Sequence, residues 1–194
     1  MRRSVCVFCG SSPGNRPTYA AAAALLGQSL VSKDISVVYG GGKLGLMGVL
    51  AETVLKERGQ IIGVMPKPLV AREHAHGGLT ELRVVHSMHE RKALMADLSD
   101  AFIALPGGYG TFEEFCEILT WTQLGLHQKP CGLLNVNGYY DDLLRMFDHA
   151  VAEGFVKDVH REMLISDVDS GALVDRLLRA EVPRVEKWIR REQT

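Results

Sequence analysis

The strongest chemical signal in this chain is a glycine-rich turn followed by two acids, Pro106-Gly107-Gly108-Tyr109-Gly110-Thr111-Phe112-Glu113-Glu114. Glycines permit positive φ angles and let a ligand approach backbone N–H groups without an intervening Cβ. A helix predicted to start at about Thr111 would direct the positive end of its dipole to the same place, and the Thr111 hydroxyl adds a donor. The stretch predicts a phosphate cradle; the alternative is a tight turn that binds no ligand.

Two adjacent glutamates, Glu113 and Glu114, fall in the first turn of that predicted helix. One acid would be enough to interact with the helix dipole, an effect of typically about 0.3–1 kcal/mol. A carboxylate beside a bound phosphate is repelled by it. An acid at this position is therefore predicted to point away from the phosphate and toward the attached sugar.

A second glycine turn, Gly40-Gly41-Gly42-Lys43-Leu44-Gly45, matches the pattern GxGxxG between a predicted strand and a predicted helix. A dinucleotide fold also needs an acidic residue at the end of the next strand, which here ends at Met65-Pro66. Lys43 lacks the spacing and the following Ser or Thr of a Walker A loop. The turn is interpreted as a phosphate-binding or close-packing turn, not as an NAD or FAD site.

Neither the cysteines nor the histidines have the spacing of a metal site or a disulfide. Cys6 and Cys9 lie three residues apart in an apolar run with the pattern of a strand, so their side chains point to opposite faces. They are predicted to be buried, reduced thiols. The histidine pairs in 74–76 and 86–89 lack carboxylate and cysteine partners at ligand spacing. We therefore expect no metal and no cofactor.

The amino-acid composition limits the kinds of protein that this chain could be. The chain has 194 residues, 46% of them apolar, and a formal net charge of −1, which favours one domain over 1–194. A nearly neutral chain gives no electrostatic reason to expect nucleic acid as a partner. No run approaches the ~18 apolar residues of a membrane span. A cytoplasmic location without membrane attachment is expected.

Short apolar runs alternate with helical stretches along the whole chain. Strands are predicted at 4–9, 35–39, 61–65, 81–85, 101–105, 131–134 and 163–166, and helices at 17–33, 47–59, 89–98, 111–123, 140–153 and 172–179. Such alternation predicts a doubly wound, Rossmann-like α/β domain with a mostly parallel sheet of about seven strands. Glycine clusters at 10, 40–42 and 107–110 directly follow strands and therefore predict one common ligand site.

The turn at 106–114 and several other segments of the sequence resemble motifs of a known family. The turn at 106–114 fits the PGGxGTxxE motif of the LONELY GUY family of cytokinin-activating phosphoribohydrolases, and Met88-His89-Glu90-Arg91-Lys92 is similar to its MHxRK segment. Cys9-Gly10-Ser11-Ser12, Tyr39-Gly40-Gly41-Gly42 and Gly45-Leu46-Met47-Gly48 also resemble family segments in the same order. The resemblance covers residues 4–179. Members have often been labelled lysine decarboxylases.

The resemblance implies hydrolysis of an N6-substituted AMP to free base and ribose 5-phosphate by a homodimer. It implies catalytic roles for Arg91 and Glu114. The positions that it implies for substrate binding are Ser11, Gly41, Gly42, Glu73, Met88, Arg91, Lys92, Gly107, Gly108, Tyr109, Gly110, Thr111, Glu113 and Thr120.

The chemistry of a ribosyl C–N bond suggests what these residues would do. Cleavage builds positive charge on the sugar, which carboxylates stabilise in glycosidases. Glu114 is expected to stabilise that cation or to orient water, and Arg91, always charged, to hold Glu114 or the substrate. Lys92 is expected to contact phosphate; a Schiff-base lysine and an exposed helix lysine are the alternatives. The rival functions are an AMP nucleosidase without N6 preference and a nucleotide-binding carrier or sensor.

Overall fold

The computed structural model describes residues 3–70 and 75–183 of the chain, and within them it contains one seven-stranded parallel sheet. The strands lie in the order β4-β3-β2-β1-β5-β6-β7. Their bounds are β1 Ser4–Phe8, β2 Ser36–Tyr39, β3 Ile61–Pro66, β4 Glu81–Val85, β5 Ala101–Ala104, β6 Cys131–Leu134 and β7 Leu164–Asp167. The predicted doubly wound α/β fold is confirmed.

Helices connect the strands and cover both faces of the sheet. They are α1 Pro17–Ser32, α2 Gly45–Lys56, α3 Lys67–Val70, α4 Met88–Asp97, α5 Tyr109–Gln123, α6 Asp141–Ala152, α7 Asp158–Arg161 and α8 Ser170–Arg179. A 3₁₀ turn at Val136–Gly138 precedes α6. Three of these elements, α3, α7 and the 3₁₀ turn, are not in the sequence prediction because each is too short to show a hydrophobic period.

Side chains that alternate along the strands form two cores, one on each face. In β1, Val5 and Val7 pack against α1, α2 and α8, whereas Cys6 and Phe8 pack against α4 and α5. Cys9 belongs to the first core and Cys6 to the second, and both are buried free thiols. The prediction that these two thiols are buried and point to opposite faces is confirmed.

The chain reverses its direction of travel across the sheet between β1 and β5. From β1 it proceeds outward through β2, β3 and β4, and then returns to place β5 on the other side of β1. Neighbouring connections leave β1 and β5 toward opposite faces of the sheet, so a crevice opens at their carboxyl ends. The glycine turns after β1, β2 and β5 all lie at this switch point.

The structure corrects the start of the helix that carries the paired glutamates. Helix α5 begins at Tyr109, with Gly108 in an extended conformation as its N-cap, rather than at Thr111. Glu113 and Glu114 therefore lie in the second turn of α5, and the first turn carries no acid. Within residues 3–70 and 75–183, no helix is long and apolar enough to cross a membrane.

Candidate active site

Three glycine turns interlock at the switch point. The Gly10 N–H donates to the carbonyl of Pro106 at 3.1 Å, and the Gly10 carbonyl accepts from the Leu46 N–H at 3.0 Å. A Cβ on Gly107 would lie 2.9 Å from the Gly10 nitrogen and would also collide with the side chain of Thr111. Glycine is therefore required at Gly107 for close packing of the turns after β1 and β5.

The interlocked turns border a cleft of about 310 Å³. Eight of the sequence-predicted site residues line it: Ser11, Met88, Arg91, Gly108, Tyr109, Gly110, Thr111 and Glu114. Apart from its chain neighbours and the backbone of its own helix, a Cβ built on Gly108 or Gly110 would meet no atom of the described residues within 4 Å, and both glycines line the cleft. The start of α5 points into this space, which is the arrangement that binds anions at helix N-termini.

Arg91 is held at the floor of the cleft and is only 6% exposed. Its Nη2 donates to the carbonyl of Gly40 at 3.3 Å, and its Nη1 lies 3.8 Å from the sulfur of Met88. Its Nε is buried and has no hydrogen-bond partner among the residues that the structure describes. A buried donor without a partner is costly, so packing alone does not favour this position of the guanidinium.

Glu114 faces Arg91 across the cleft. Its Oε1 lies 3.9 Å from Arg91 Nη2, and its side chain is 12% exposed. Residues three and four apart share one face of a helix, so Glu114 lies on the same face as Gly110 and Thr111. Burial raises the pKa of the Cys9 thiol at the cleft wall, and the nearby charge of Glu114 raises it further. The cleft thus combines an open glycine turn at a helix N-terminus with an arginine–carboxylate pair.

Lys92, which is expected to contact phosphate, is not among the residues that line the cleft. Its Nζ contacts Glu113 Oε1 at 2.5 Å and Glu117 Oε1 at 3.0 Å, and its side chain is 10% exposed. Burial lowers the pKa of Lys92, but its hydrogen bonds to the two carboxylates outweigh that effect and raise the pKa above its usual value. In this structure Lys92 and Glu113 join α4 to α5.

Other predicted positions also lie away from the cleft. Gly41 and Gly42 contact the segment after α3: the Gly41 carbonyl accepts from the His76 N–H at 3.0 Å, and Gly42 forms a β-bridge with Ala75. The Thr120 hydroxyl donates to the carbonyl of Cys116 at 2.7 Å and borders a second, largely apolar cleft. Glu73 lies outside the described residues.

Sequence reasoning did not identify all the residues that form the cleft. Gly40, Met47, Leu69 and Met95 also line it. Met88, Arg91 and Met95 lie on one face of α4 at helical spacing, so a helical projection through Arg91 would have found Met95. Gly40 was recognised as part of a motif, but its carbonyl contact with Arg91 depends on tertiary packing.

A doubly wound parallel sheet with glycine turns gathered at its switch point defines the class of open α/β proteins, which bind ligands at the carboxyl ends of their strands. Residues 47–177 match the family described as "Possible lysine decarboxylase". The chain is 51% identical over 185 residues to the cytokinin riboside 5′-monophosphate phosphoribohydrolase LOG1 of Arabidopsis thaliana, covering 95% of this chain and 86% of that protein. It therefore belongs to the family of cytokinin riboside 5′-monophosphate phosphoribohydrolases, as its motifs predict.

A second relative in sequence supports the family, and a solved structure supports the fold. The rice (Oryza sativa subsp. japonica) "Probable cytokinin riboside 5′-monophosphate phosphoribohydrolase LOGL9" is 55% identical over 175 residues, covering 90% of this chain and 77% of that protein. Among solved structures, the molybdenum cofactor carrier protein of Chlamydomonas reinhardtii superposes with a TM-score of 0.71 at 20% identity, covering 93% of this chain and all of that one. That likeness shows a shared fold.

Proposed function

We propose that this protein hydrolyses the N-glycosidic bond of N6-modified adenosine 5′-monophosphates, releasing the free base and ribose 5-phosphate. The relatives that share about half of its residues are named for this activity. The observation that carries the proposal is the Arg91–Glu114 pair, which faces the open glycine turn within one cleft. A nucleotide carrier or sensor would need the turn but not a buried carboxylate beside it.

The 5′-phosphate is assigned to the turn 107–111. The backbone of Gly108 and Gly110 borders the cleft without side chains, and Thr111 adds a hydroxyl at the first turn of α5. A phosphate there would be stabilised by the helix dipole and by backbone donors. Because the phosphate is remote from the scissile bond, its binding energy helps position the sugar.

Glu114 and Arg91 are assigned to the reacting centre. Hydrolysis breaks the bond from C1′ to the base nitrogen, whose electron pair leaves with the base, and forms a bond from C1′ to the oxygen of water. Glu114 stabilises the positive charge that develops on the sugar and accepts the proton that water loses. The departing nitrogen takes up a proton from solvent and Glu114 returns its proton to solvent, so one water is consumed and the carboxylate is regenerated. Arg91 orients that carboxylate, with its Nη2 lying 3.9 Å from Glu114 Oε1.

Lys92 and Glu113 are assigned supporting roles. A Schiff-base lysine needs a lowered pKa so that its amine is free to attack a carbonyl. Lys92 instead has a raised pKa and two carboxylate partners, which speaks against the decarboxylase description of the family. We assign Lys92 to holding α4 against α5, so that Arg91 and Glu114, the neighbours of this pair, face each other.

Preference for an N6-modified base is supported by the apolar part of the cleft. Met47, Leu69, Met88 and Met95 line the cleft together with Arg91. Thioether and branched alkyl side chains adapt well to an apolar substituent. A plain AMP nucleosidase would gain nothing from this wall.

Incubation with AMP and with isopentenyl-AMP tests the function. The protein is expected to release base and ribose 5-phosphate from both, with the higher kcat/KM for isopentenyl-AMP. Equal kcat/KM values would favour the plain nucleosidase. Tight nucleotide binding with release of neither product would favour a carrier or sensor.

We also propose a homodimer in the cytoplasm. Of the apolar residues around Glu114 on α5, Phe115 and Ile118 are buried in the core, and Leu119 and Trp121 are partly buried. Helix α6 has no fully buried residue although it is strongly amphipathic, and Phe155 after it is 84% exposed. This uncovered face of α5 and α6 is the proposed interface. Four free cysteines fit a reducing compartment.

A further inference from the structure

Tyr139 supports the phosphate turn from behind. Its hydroxyl donates a hydrogen bond to the carbonyl of Gly107, and Tyr139 is not among the residues that line the cleft. Its ring stacks on Phe112 in the first turn of α5, with centroids 6.3 Å apart, and meets the ring of Tyr19 edge-on at 5.8 Å. The Tyr139 side chain therefore contacts this segment at two places, Gly107 before α5 and Phe112 in its first turn.

The segment that presents Tyr139 is itself tightly fixed. Asn135 accepts a hydrogen bond from the Tyr140 N–H at 2.7 Å and donates one to Asp141, also at 2.7 Å. Asn137 adopts a positive φ of 53° and donates to the hydroxyl of Thr18 at 2.7 Å. The Asn135 contacts fix the turn to the start of α6 and the Asn137 contact fixes it to α1, so Tyr139 has a defined position.

The contact fixes the orientation of the peptide between Gly107 and Gly108. In a trans peptide the C=O and the following N–H point in opposite directions, and the described residues contain no cis peptide. A Gly107 carbonyl held by Tyr139 behind the turn therefore directs the Gly108 N–H toward the cleft. Two successive glycines offer little resistance to a peptide flip, which would present a carbonyl oxygen to the phosphate instead.

We propose that Tyr139 is a positioning residue for the 5′-phosphate: its hydrogen bond to Gly107 keeps the Gly108 N–H aimed at the anion. The inference rests on the proposed function only in its choice of ligand, a phosphorylated ribose. It extends that function to a residue that does not touch the substrate and whose effect should depend on the phosphate.

The test compares Tyr139→Phe with Tyr140→Phe. Each variant removes one tyrosine hydroxyl that donates to a backbone carbonyl, because Tyr140 donates to Leu105 at 2.6 Å. The phenyl ring that remains in Tyr139→Phe would keep its contacts with Phe112 and Tyr19, so the fold should be preserved, as checked by circular dichroism and thermal melting. Ribose 5-phosphate is the probe for calorimetry, because it has no glycosidic bond to cleave.

Tyr139→Phe is expected to weaken ribose 5-phosphate binding about five- to tenfold, the range for one lost hydrogen bond, whereas Tyr140→Phe leaves it within about twofold. In turnover, Tyr139→Phe should lower the preference for a nucleotide over its unphosphorylated riboside by a similar factor. Unchanged binding and preference in Tyr139→Phe would overturn the proposal. Weakened binding in a protein that cleaves no nucleotide would leave it standing and refute the hydrolase instead.

Discussion

At the scale of single residues, the cleft depends on close contacts that only small or specific side chains allow. Gly40 shows this best: its carbonyl accepts from Arg91, and a Cβ at this position would collide with the Arg91 guanidinium and lie 3.2 Å from the sulfur of Met47. The guanidinium of Arg91 can therefore occupy its position only because residue 40 has no side chain.

Substituting Gly40 tests this dependence. Gly40→Ala is expected to displace the guanidinium and lower kcat by about tenfold or more, because misplacing an orienting group by about an ångström has a large effect on rate. Gly78→Ala is the matched control, since the nearest atom to a Cβ there is 3.4 Å away, on the side chain of His76. A Gly40→Ala protein with unchanged kcat would show that the position of Arg91 does not matter for turnover.

The residue types that form the site could be predicted from the sequence, but the direction in which each side chain points could not. Of the residues in the predicted pattern, Gly108, Gly110, Thr111 and Glu114 line one cleft at the strand ends. Lys92 follows Arg91 by one residue, and adjacent helix positions point about 100° apart, so one faces the cleft and the other faces α5. Which of the two enters the cleft depends on how α4 packs on the sheet.

At the scale of elements, the angle and distance between α4 and α5 set the Arg91–Glu114 geometry. Lys92 joins the two helices by bridging Glu113 and Glu117, and its side chain is 10% exposed. Removing the ammonium group would leave two neighbouring carboxylates without their cation, which is more costly than losing an exposed ion pair.

Lys92→Met is therefore expected to destabilise the fold by about 1–2 kcal/mol at neutral pH, measured by urea unfolding. The pKa of Lys92 is raised in the folded protein, so this stabilisation is complete at neutral pH and is lost as the pH rises through the raised pKa. The exposed Lys33–Asp175 pair provides the control: Lys33→Met should destabilise the fold much less than Lys92→Met. Equal losses in the two variants would contradict a structural role for the bridge.

The order of strands and long helices was predictable because buried parallel strands and amphipathic helices have distinct apolar periods. The predicted start of α5 was wrong, because glycines in the first turn of a helix look like the residues of a loop. Gly108 and Gly110 suggest a turn, yet Gly108 is an N-cap and Gly110 is helical. Thr120 lies nine residues beyond Thr111, and a helix rise of about 1.5 Å per residue separates the two by about 13.5 Å along the axis. The spacing alone therefore indicates that Thr120 is far from the start of α5.

At the scale of the whole molecule, the two faces of the sheet differ in how well they are covered. On one face α1, α2 and α8 enclose a core in which Leu26, Leu30 and Leu50 are fully buried. On the other face, Met146 of α6 is 59% exposed and Phe155 is 84% exposed. Exposed apolar patches of this kind mark interaction surfaces, which supports a dimer through the second face.

The proposed dimer can be tested by light scattering, which should give a molecular mass about twice the 21.3 kDa of one chain. Met146→Glu is expected to shift the protein toward the monomer, because a charge would be buried in the interface. Leu25→Glu is the matched control: Leu25 is 57% exposed on α1, which covers the opposite face. A wild-type protein that is monomeric at micromolar concentration, or equal dissociation by both variants, would contradict the proposed interface.

The central claim is that Glu114 stabilises the transition state for cleavage of the glycosidic bond, and kcat of Glu114→Gln tests it most directly. The expected result is a fall in kcat of about 10²–10³-fold with nucleotide affinity and melting temperature near those of the wild type, as for the loss of one key electrostatic group. Glu117→Gln, on the same helix but directed at Lys92, should lose far less. Near-normal turnover of isopentenyl-AMP by Glu114→Gln would contradict the claim.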